Sequence, residues 1–523
     1  MGVQRTFDVG DVFGLVRLDP DDGYDAVLGA QLQDLLSAIG GLDAHDRGLV
    51  PRPESCHVIL LAWGEQSPSP MPELLEAFLG WLGTYRVALT GPGYQNLLVI
   101  VVGWVQTTGR HAVTQSLVAT GVAGRRHHEA FHRFFSRGTW QADRLGFWLF
   151  ERVRRVLDLE RHGLRVVLDD TVAAKKGPHV FGIGCHLDAV RSTKRFRVFC
   201  FGHCWVVLAV LVRVPFARRP WALPILFRLY RNKKECARKG HPYRKKTALA
   251  RELLDVFHSW VGDHRVEVAA DAAYCNDTVT RGLPASFVLF GAMRPDAVLT
   301  GLPDARAAAS TGRPRRRGAL LPKPAALARD DRERWRTCEA DLYGQRRTVR
   351  YKEMCGQWYR ACGVGLVRVV IVQVTTGALG CRIFFCTDVT RSVSQILEGY
   401  AGRWAIEVCF RDLKQELGFA ESSARTRAAV ERVAPFVGLL YTLLVVWFTE
   451  HASTHALAAP PVRPWYRHKQ GFAFADILRT AQRVLAPLDV LDPNRSLDNL
   501  RCSRSSAGSS TRRQGAHPVN CVT

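Results

Sequence analysis

Arg165-Val-Val-Leu-Asp-Asp-Thr171 is a short apolar run that ends on two adjacent carboxylates. Further on, Val266-Glu-Val-Ala-Ala-Asp271 repeats the pattern with one. Between them lie two strand-like runs, 195–214 (read as a hairpin half plus its return) and 221–230, then a basic connection, 231–246. Residues 247–261 follow with Leu249, Leu253, Leu254, Phe257 and Val261 near helical spacing. Another helix and a strand at 285–292 complete the stretch. The order is a strand ending in Asp, two or three antiparallel strands, a helix, a second strand ending in Asp, a helix and a strand. Alternation along the first strand lets only one of Asp169 and Asp170 face a given side.

This is the order of the ribonuclease-H-like fold, an α/β arrangement in which the first and fourth strands lie side by side. Their aspartates then meet at neighbouring strand ends, the edge of a parallel sheet where ligand sites are expected. Residues 299–388 interrupt it. They begin with Arg313-Pro-Arg-Arg-Arg317 and continue as strands at 347–351, 367–374 and 382–386, a β-rich insertion. The sheet fold is expected to resume at 389–450, with a long helix from near Ser392 and an apolar helix, 433–448, beneath it. The first part of this fold thus spans 160–298.

Upstream, 71–155 reads as helical. Residues 71–85 are amphipathic, 97–105 are apolar, and 107–117 and the basic, aromatic 125–140 are joined by a glycine-containing turn. That pattern suits a helix-turn-helix-like DNA-binding module, with a plain helical bundle as the alternative. Residues 1–70 are rich in Gly, Pro and Asp without clear period. Residues 451–523 form a C-terminal region whose Ser/Arg-rich tail, from about 500, is expected to be disordered.

Among the 523 residues, 72 Lys and Arg oppose 48 Asp and Glu, a net +24. Such an excess speaks of a polyanionic partner. The 14 cysteines include no C-x-x-C pair, so buried thiols are expected rather than a zinc site, in a reduced cytoplasmic protein. The N-terminus lacks the apolar core of a signal peptide. The apolar runs 97–105, 198–212 and 433–448 fall short of the ~20 residues that span a bilayer and read as buried strands or a core helix.

The segment Tyr400-Ala-Gly-Arg403-Trp-Ala-Ile-Glu407-Val-Cys-Phe-Arg-Asp-Leu-Lys414 carries the chemistry. At ~100° per residue, Tyr400, Arg403, Glu407 and Lys414 fall on one helix face. Taken alone, that could be a solvated face with i, i+4 ion pairs. The spacing Tyr-x2-Arg-x3-Glu-x6-Lys, however, resembles the signature of bacterial insertion-sequence DDE transposases of the IS-four-type branch. Asp169-Asp170-Thr171 with Lys175-Lys176-Gly177 is similar to the segment bearing that family's first catalytic aspartate. Val268–Tyr274 is similar to the second, 288–296 to the strand that follows, and 134–140 to the N-terminal region. Ala270 stands where many relatives have glycine.

The resemblance implies Asp170, Asp271 and Glu407 as catalytic, metal-binding residues, with Asp169 as the fallback for the first. It implies two Mg²⁺ (or Mn²⁺) ions, whose preference for carboxylate oxygen suits three acids. Tyr400, Arg403, Lys414 and Arg294 would contact DNA phosphates, and Trp358 or Tyr359 could stack on a flipped base. The expected function is cleavage of terminal inverted repeats and strand transfer into target double-stranded DNA by a homodimer. A non-transposing metal-dependent nuclease and an inactive DNA-binding relative are the alternatives.

Overall fold

The computed structural model describes residues 71–491 except 178, 189–190, 194, 305–312, 314, 375–379, 456–457, 459–464 and 466–470. The segment 1–70 and the Ser/Arg-rich tail therefore lie outside the described residues.

Apolar runs and alternation sort the described chain into one mixed sheet. Its strands are β1 (Leu164–Ala174), β2 (Gly184–Leu187), β3 (Phe199–Val212), β4 (Trp221–Tyr230), β5 (Val266–Ala270), β6 (Phe287–Ala292), β7 (Arg336–Leu342), β8 (Gln345–Gln357), β9 (Leu366–Gln373) and β10 (Cys381–Cys386). They run in the order β2-β3-β1-β5-β6-β10-β9-β8-β7, with β4 also paired to β3. β1, β5 and β6 are parallel neighbours, and β3 is antiparallel to both β1 and β4. Covered on both faces, the parallel trio is apolar almost throughout: Val166, Val167, Leu168, Val268, Ala270 and Leu289 are all buried. The strands at 336–386 do not form a separate sheet; β10 pairs with β6 and carries β9, β8 and β7 outward. The run 199–212 is one long strand whose return is β4, and the short β2 is its other partner.

The helices are α1 (Met71–Gly83), α2 (Gly91–Gln106), α3 (Val113–Ala119), α4 (Glu129–Ser136), α5 (Ala142–Val156), α6 (Leu159–His162), α7 (Lys233–Lys239), α8 (Lys246–Val261), α9 (Asp277–Thr280), α10 (Pro324–Arg329), α11 (Tyr359–Cys362), α12 (Val393–Ala401), α13 (Trp404–Glu416), α14 (Arg427–Trp447) and α15 (Phe474–Leu485). Period-two alternation divides the sheet between two cores. On β6, β9 and β10, Phe290, Val370, Val372 and Phe384 point to a cluster capped by Ile396 and Leu397 of α12. Leu289, Val369, Ile371 and Phe385 point to the larger core on the other side. The N-terminal helices share that larger core: Phe78, Trp104, Phe135 and Phe150 belong to the same cluster as Val166 and Leu440.

Two expectations about the helices change. The helix expected to run on from Ser392 is interrupted. Ser392 caps α12 in a capping box with Gln395, and short-range bonds from Arg403 N to Tyr400 O and from Ile406 N to Arg403 O tighten the chain before α13. The apolar segment is longer than its sequence run: from Arg427 to Ala452 it is long and apolar enough to cross a membrane by length and composition. Here 89 % of its apolar window is buried inside the protein. Gly438 lets α14 approach β4 closely, because a Cβ there would lie 2.1 Å from the Phe227 ring.

Candidate active site

The parallel register decides which carboxylates meet. Leu168 of β1 is opposite Ala270 of β5, so the next residues, Asp169 and Asp271, stand side by side where the parallel pairing ends. The expected strand end at the aspartate pair holds only for Asp271, just past β5; β1 continues through Asp169 and Asp170 to Ala174, because β3 goes on pairing with it. Residues in register point to the same face, and Asp170 therefore points to the other. On the Asp169 face, the turn between α12 and α13 delivers Arg403. Its Nη1 donates to Asp169 Oδ2 at 2.8 Å and its Nη2 to Glu407 Oε1 at 2.6 Å. One guanidinium thus spans two carboxylates, with Glu407 one turn along α13. Asp271 lies close enough to act electrostatically on Asp169, Arg403 and Tyr400. Burial pushes the Asp169 carboxyl up to about 7, against the pull of Arg403. Arg403 is held charged, because Asp169 and its other neighbours outweigh the cost of its burial.

Asp170, the residue preferred from sequence, has different company. Lys246 at the start of α8 donates to its Oδ2 at 2.6 Å, the Tyr274 hydroxyl donates to its Oδ1, and the Cys204 thiol lies 3.4 Å away. These partners neutralise and hydrogen-bond it on the α8 side of the sheet. Burial and the nearby Asp170 charge both push the Tyr274 phenol upward, so it remains a donor. Asp170 is thus separated from Glu407 and Arg403 by the thickness of β1.

The remaining candidates are dispersed. Tyr400 is buried against Phe384, ring centroids 4.7 Å apart, and lies beside Arg403; burial pushes its phenol up to about 12. Lys414 lies two turns beyond Glu407, where burial lowers its pKa while Asp188, just past the end of β2, and Cys200 of β3 oppose that shift. Arg294 is exposed and paired with Asp296 at 3.0 Å. Trp358 packs edge-on against Phe385 at 5.1 Å and belongs to the core, whereas Tyr359 lies beneath Arg281 and Arg317. Sequence reasoning missed Lys246 and Tyr343. Tyr343 sits at φ 55° in the turn between β7 and β8, close enough to feel Arg403 and Glu407. A Tyr-Gly turn between two strands was the available signal, but it could not be read without recognising the polar strand β7.

Three carboxylates are the hard oxygen donors that Mg²⁺ or Mn²⁺ prefers, so the chemistry of Asp169, Asp271 and Glu407 fits such ions. Their present arrangement is set by Arg403: among the described residues, no three His, Cys, Asp or Glu side chains are gathered closely enough to hold one ion. The described cysteines are free thiols.

Two family profiles match the chain. The DDE superfamily endonuclease profile matches residues 93–354, a range that contains Asp169, Asp170 and Asp271. The chain belongs to the DDE superfamily endonucleases. A second profile, that of the archaeal transposase ISC1217, matches 347–454, which contains Glu407. No curated protein matches the sequence. DDE endonucleases of this kind are nucleic-acid-cleaving enzymes of the transposase type, generally dependent on a divalent metal. The ISC1217 family is archaeal, and neither match names the bacterial IS-four-type branch that the Tyr-Arg-Glu-Lys spacing resembles.

Proposed function

We propose that this DDE endonuclease is a transposase that cuts the terminal inverted repeats of its own element and transfers the freed ends into target DNA. One observation carries the assignment of its site: Arg403 bridges Asp169 and Glu407 while Asp271 stands in register beside Asp169. The acidic set is therefore Asp169, Asp271 and Glu407, and Asp170 supports the strand from the opposite face. Divalent ions held by those three carboxylates would activate the attacking oxygen and stabilise the leaving one. Arg403 is the resident cation of the site, and its planar fork suits a phosphate as well as a carboxylate. A DNA phosphate that engages this guanidinium competes with Asp169 and Glu407 for it and frees their oxygens. Tyr400 backs Arg403 from the α12 side. Lys414 contributes positive charge farther along the same helix, positioning the backbone without reading sequence. Membership of the IS-four-type branch, two Mg²⁺ or Mn²⁺ ions and a homodimer on paired ends complete the proposal.

The test uses purified protein and a labelled duplex carrying the repeat that flanks the gene, with Mg²⁺ or with EDTA, and Glu407→Gln in parallel. Metal-dependent cutting at the repeat boundary that disappears in the variant is expected. Cutting that survives Glu407→Gln would remove Glu407 from the acidic set.

A further inference from the structure

β3 is buried along its length except at its first three residues. β1 stops at Ala174, opposite Gly202, so beyond that point β3 has only β2 as a strand partner. The pairs Cys185–Phe201 and Leu187–Phe199 form a short two-stranded ribbon projecting past the edge of the sheet. Its open face is apolar and aromatic: Phe199 is 59 % exposed, Phe201 65 % and Leu187 46 %, with Phe196 68 % exposed just before the strand. Phenylalanine is normally buried, and three such rings within six residues held in water mark an interaction surface. Arg191, which pairs with Asp188, and Arg195 and Arg197 in the same stretch of chain are also exposed.

The position of this face is informative. Val207 of β3 is opposite Asp169, and alternation from 207 to 201 and 199 keeps both rings on the side of the sheet that carries Asp169. At ~3.4 Å per residue, Phe201 lies roughly 20 Å along the strand from the level of Asp169. Lys414 of α13 lies close enough to the ribbon to interact electrostatically with Cys200 of β3 and with Asp188, just past the end of β2. Phe199 and Phe201, two residues apart, are separated by about 6.8 Å along the strand, which is twice the ~3.4 Å step between stacked bases and leaves room for one base.

We infer that the β2–β3 ribbon is a stacking finger for unpaired bases of the DNA end being processed. This rests on the transposase reading above. Aromatic faces interleaved with cations are the chemistry that holds single-stranded nucleic acid with little regard to sequence. A second copy of the chain is a poorer occupant, since a two-fold contact would bring Arg191, Arg195 and Arg197 against their own images.

The experiment measures anisotropy of full-length protein with fluorescein-labelled oligothymidine and with a labelled duplex of equal length. Wild type is compared with Phe199→Ala/Phe201→Ala and Phe199→Trp/Phe201→Trp, and thermal melting confirms that each is folded. The alanine pair should weaken single-strand binding roughly tenfold or more and leave duplex binding within about twofold. The tryptophan pair should retain single-strand binding, and 2-aminopurine in the oligonucleotide should be quenched by wild type and not by the alanine pair. Unchanged single-strand binding, or equal loss on both DNAs, overturns the finger while leaving the transposase reading intact. Loss of a dimer in sedimentation with DNA affinity unaltered assigns the face to a second copy and also overturns it. Failure of wild type to bind either DNA removes the transposase reading itself.

Discussion

Asp169 and Asp170 share a peptide bond and almost nothing else. On one face of β1, Asp169 joins Asp271, Arg403 and Glu407 under α12 and α13. On the other, Asp170 is held by Lys246, Tyr274 and Cys204 beneath the start of α8. Both are partly buried and both contact a cation. They differ in whether a second and third carboxylate share that cation's surroundings. An ion pair by itself is ordinary structure. Two carboxylates on one guanidinium with a third beside them are the cluster on which the proposed metal and phosphate binding rests. Alternation along the strand alone sends two identical side chains to different partners, and the reactive and supporting roles proposed for them follow from that difference.

The comparison breaks most decisively through paired substitutions. Asp169→Asn should lower metal-dependent DNA cleavage by on the order of a thousandfold or more, with the fold intact. Asp170→Asn should retain most cleavage per folded molecule while losing stability. Cleavage kinetics beside urea unfolding separate the two, and a reversed pattern would exchange the roles assigned to the faces.

A pH scan sharpens it next. His203, on the Asp169 face by register, is buried with Nε2 donating to the Phe181 carbonyl at 2.8 Å, and Lys175 and His186 lie nearby. Burial depresses its pKa to about 4, against an ordinary value near 6.5. Between those values the unfolded chain takes up a proton that the folded chain refuses. Stability should therefore fall as pH drops from about 6.5 to about 4, by at most about 3 kcal/mol from this group. Denaturant titrations of wild type and His203→Gln across that window should differ in slope; parallel curves would reject the assignment.

The smallest effect belongs to the supporting face. Tyr274→Phe removes one hydrogen bond to Asp170 and leaves Lys246 in place, so a loss of about 1 kcal/mol is expected, with cleavage by the folded enzyme unchanged. A large fall in cleavage without loss of stability would mean that the two faces are coupled.

Much of this architecture was legible in advance. Apolar runs, short at β1 and β5 and longer at β3 and β4, marked these strands and β6, because strands covered on both faces need little polar residue; the continuation of β1 to Ala174 was not marked. The end of β5 placed Asp271, and helical spacing placed Glu407 near Arg403. β2 and β7 escaped notice for opposite reasons: Gly184–Leu187 is too short to show a period, and Arg336–Leu342 carries Arg, Glu and Asp on its exposed positions. The one-face picture of Tyr400 to Lys414 was too simple, because the tightened turn at Gly402 and Arg403 sends Tyr400 to Phe384 and Lys414 toward β3.

What the sequence by itself determined is the list of chemically competent residues and the order of the elements that carry them, since hydrophobic period and spacing are local properties. Which aspartate of the pair faces Glu407, which lysine neutralises the other, and where three phenylalanines stand exposed were decided only by tertiary structure. Those answers depend on the register between β1 and β5 and on the point where β1 ends before β3. Register is set by contacts between segments distant in sequence, and no local pattern within either strand encodes it.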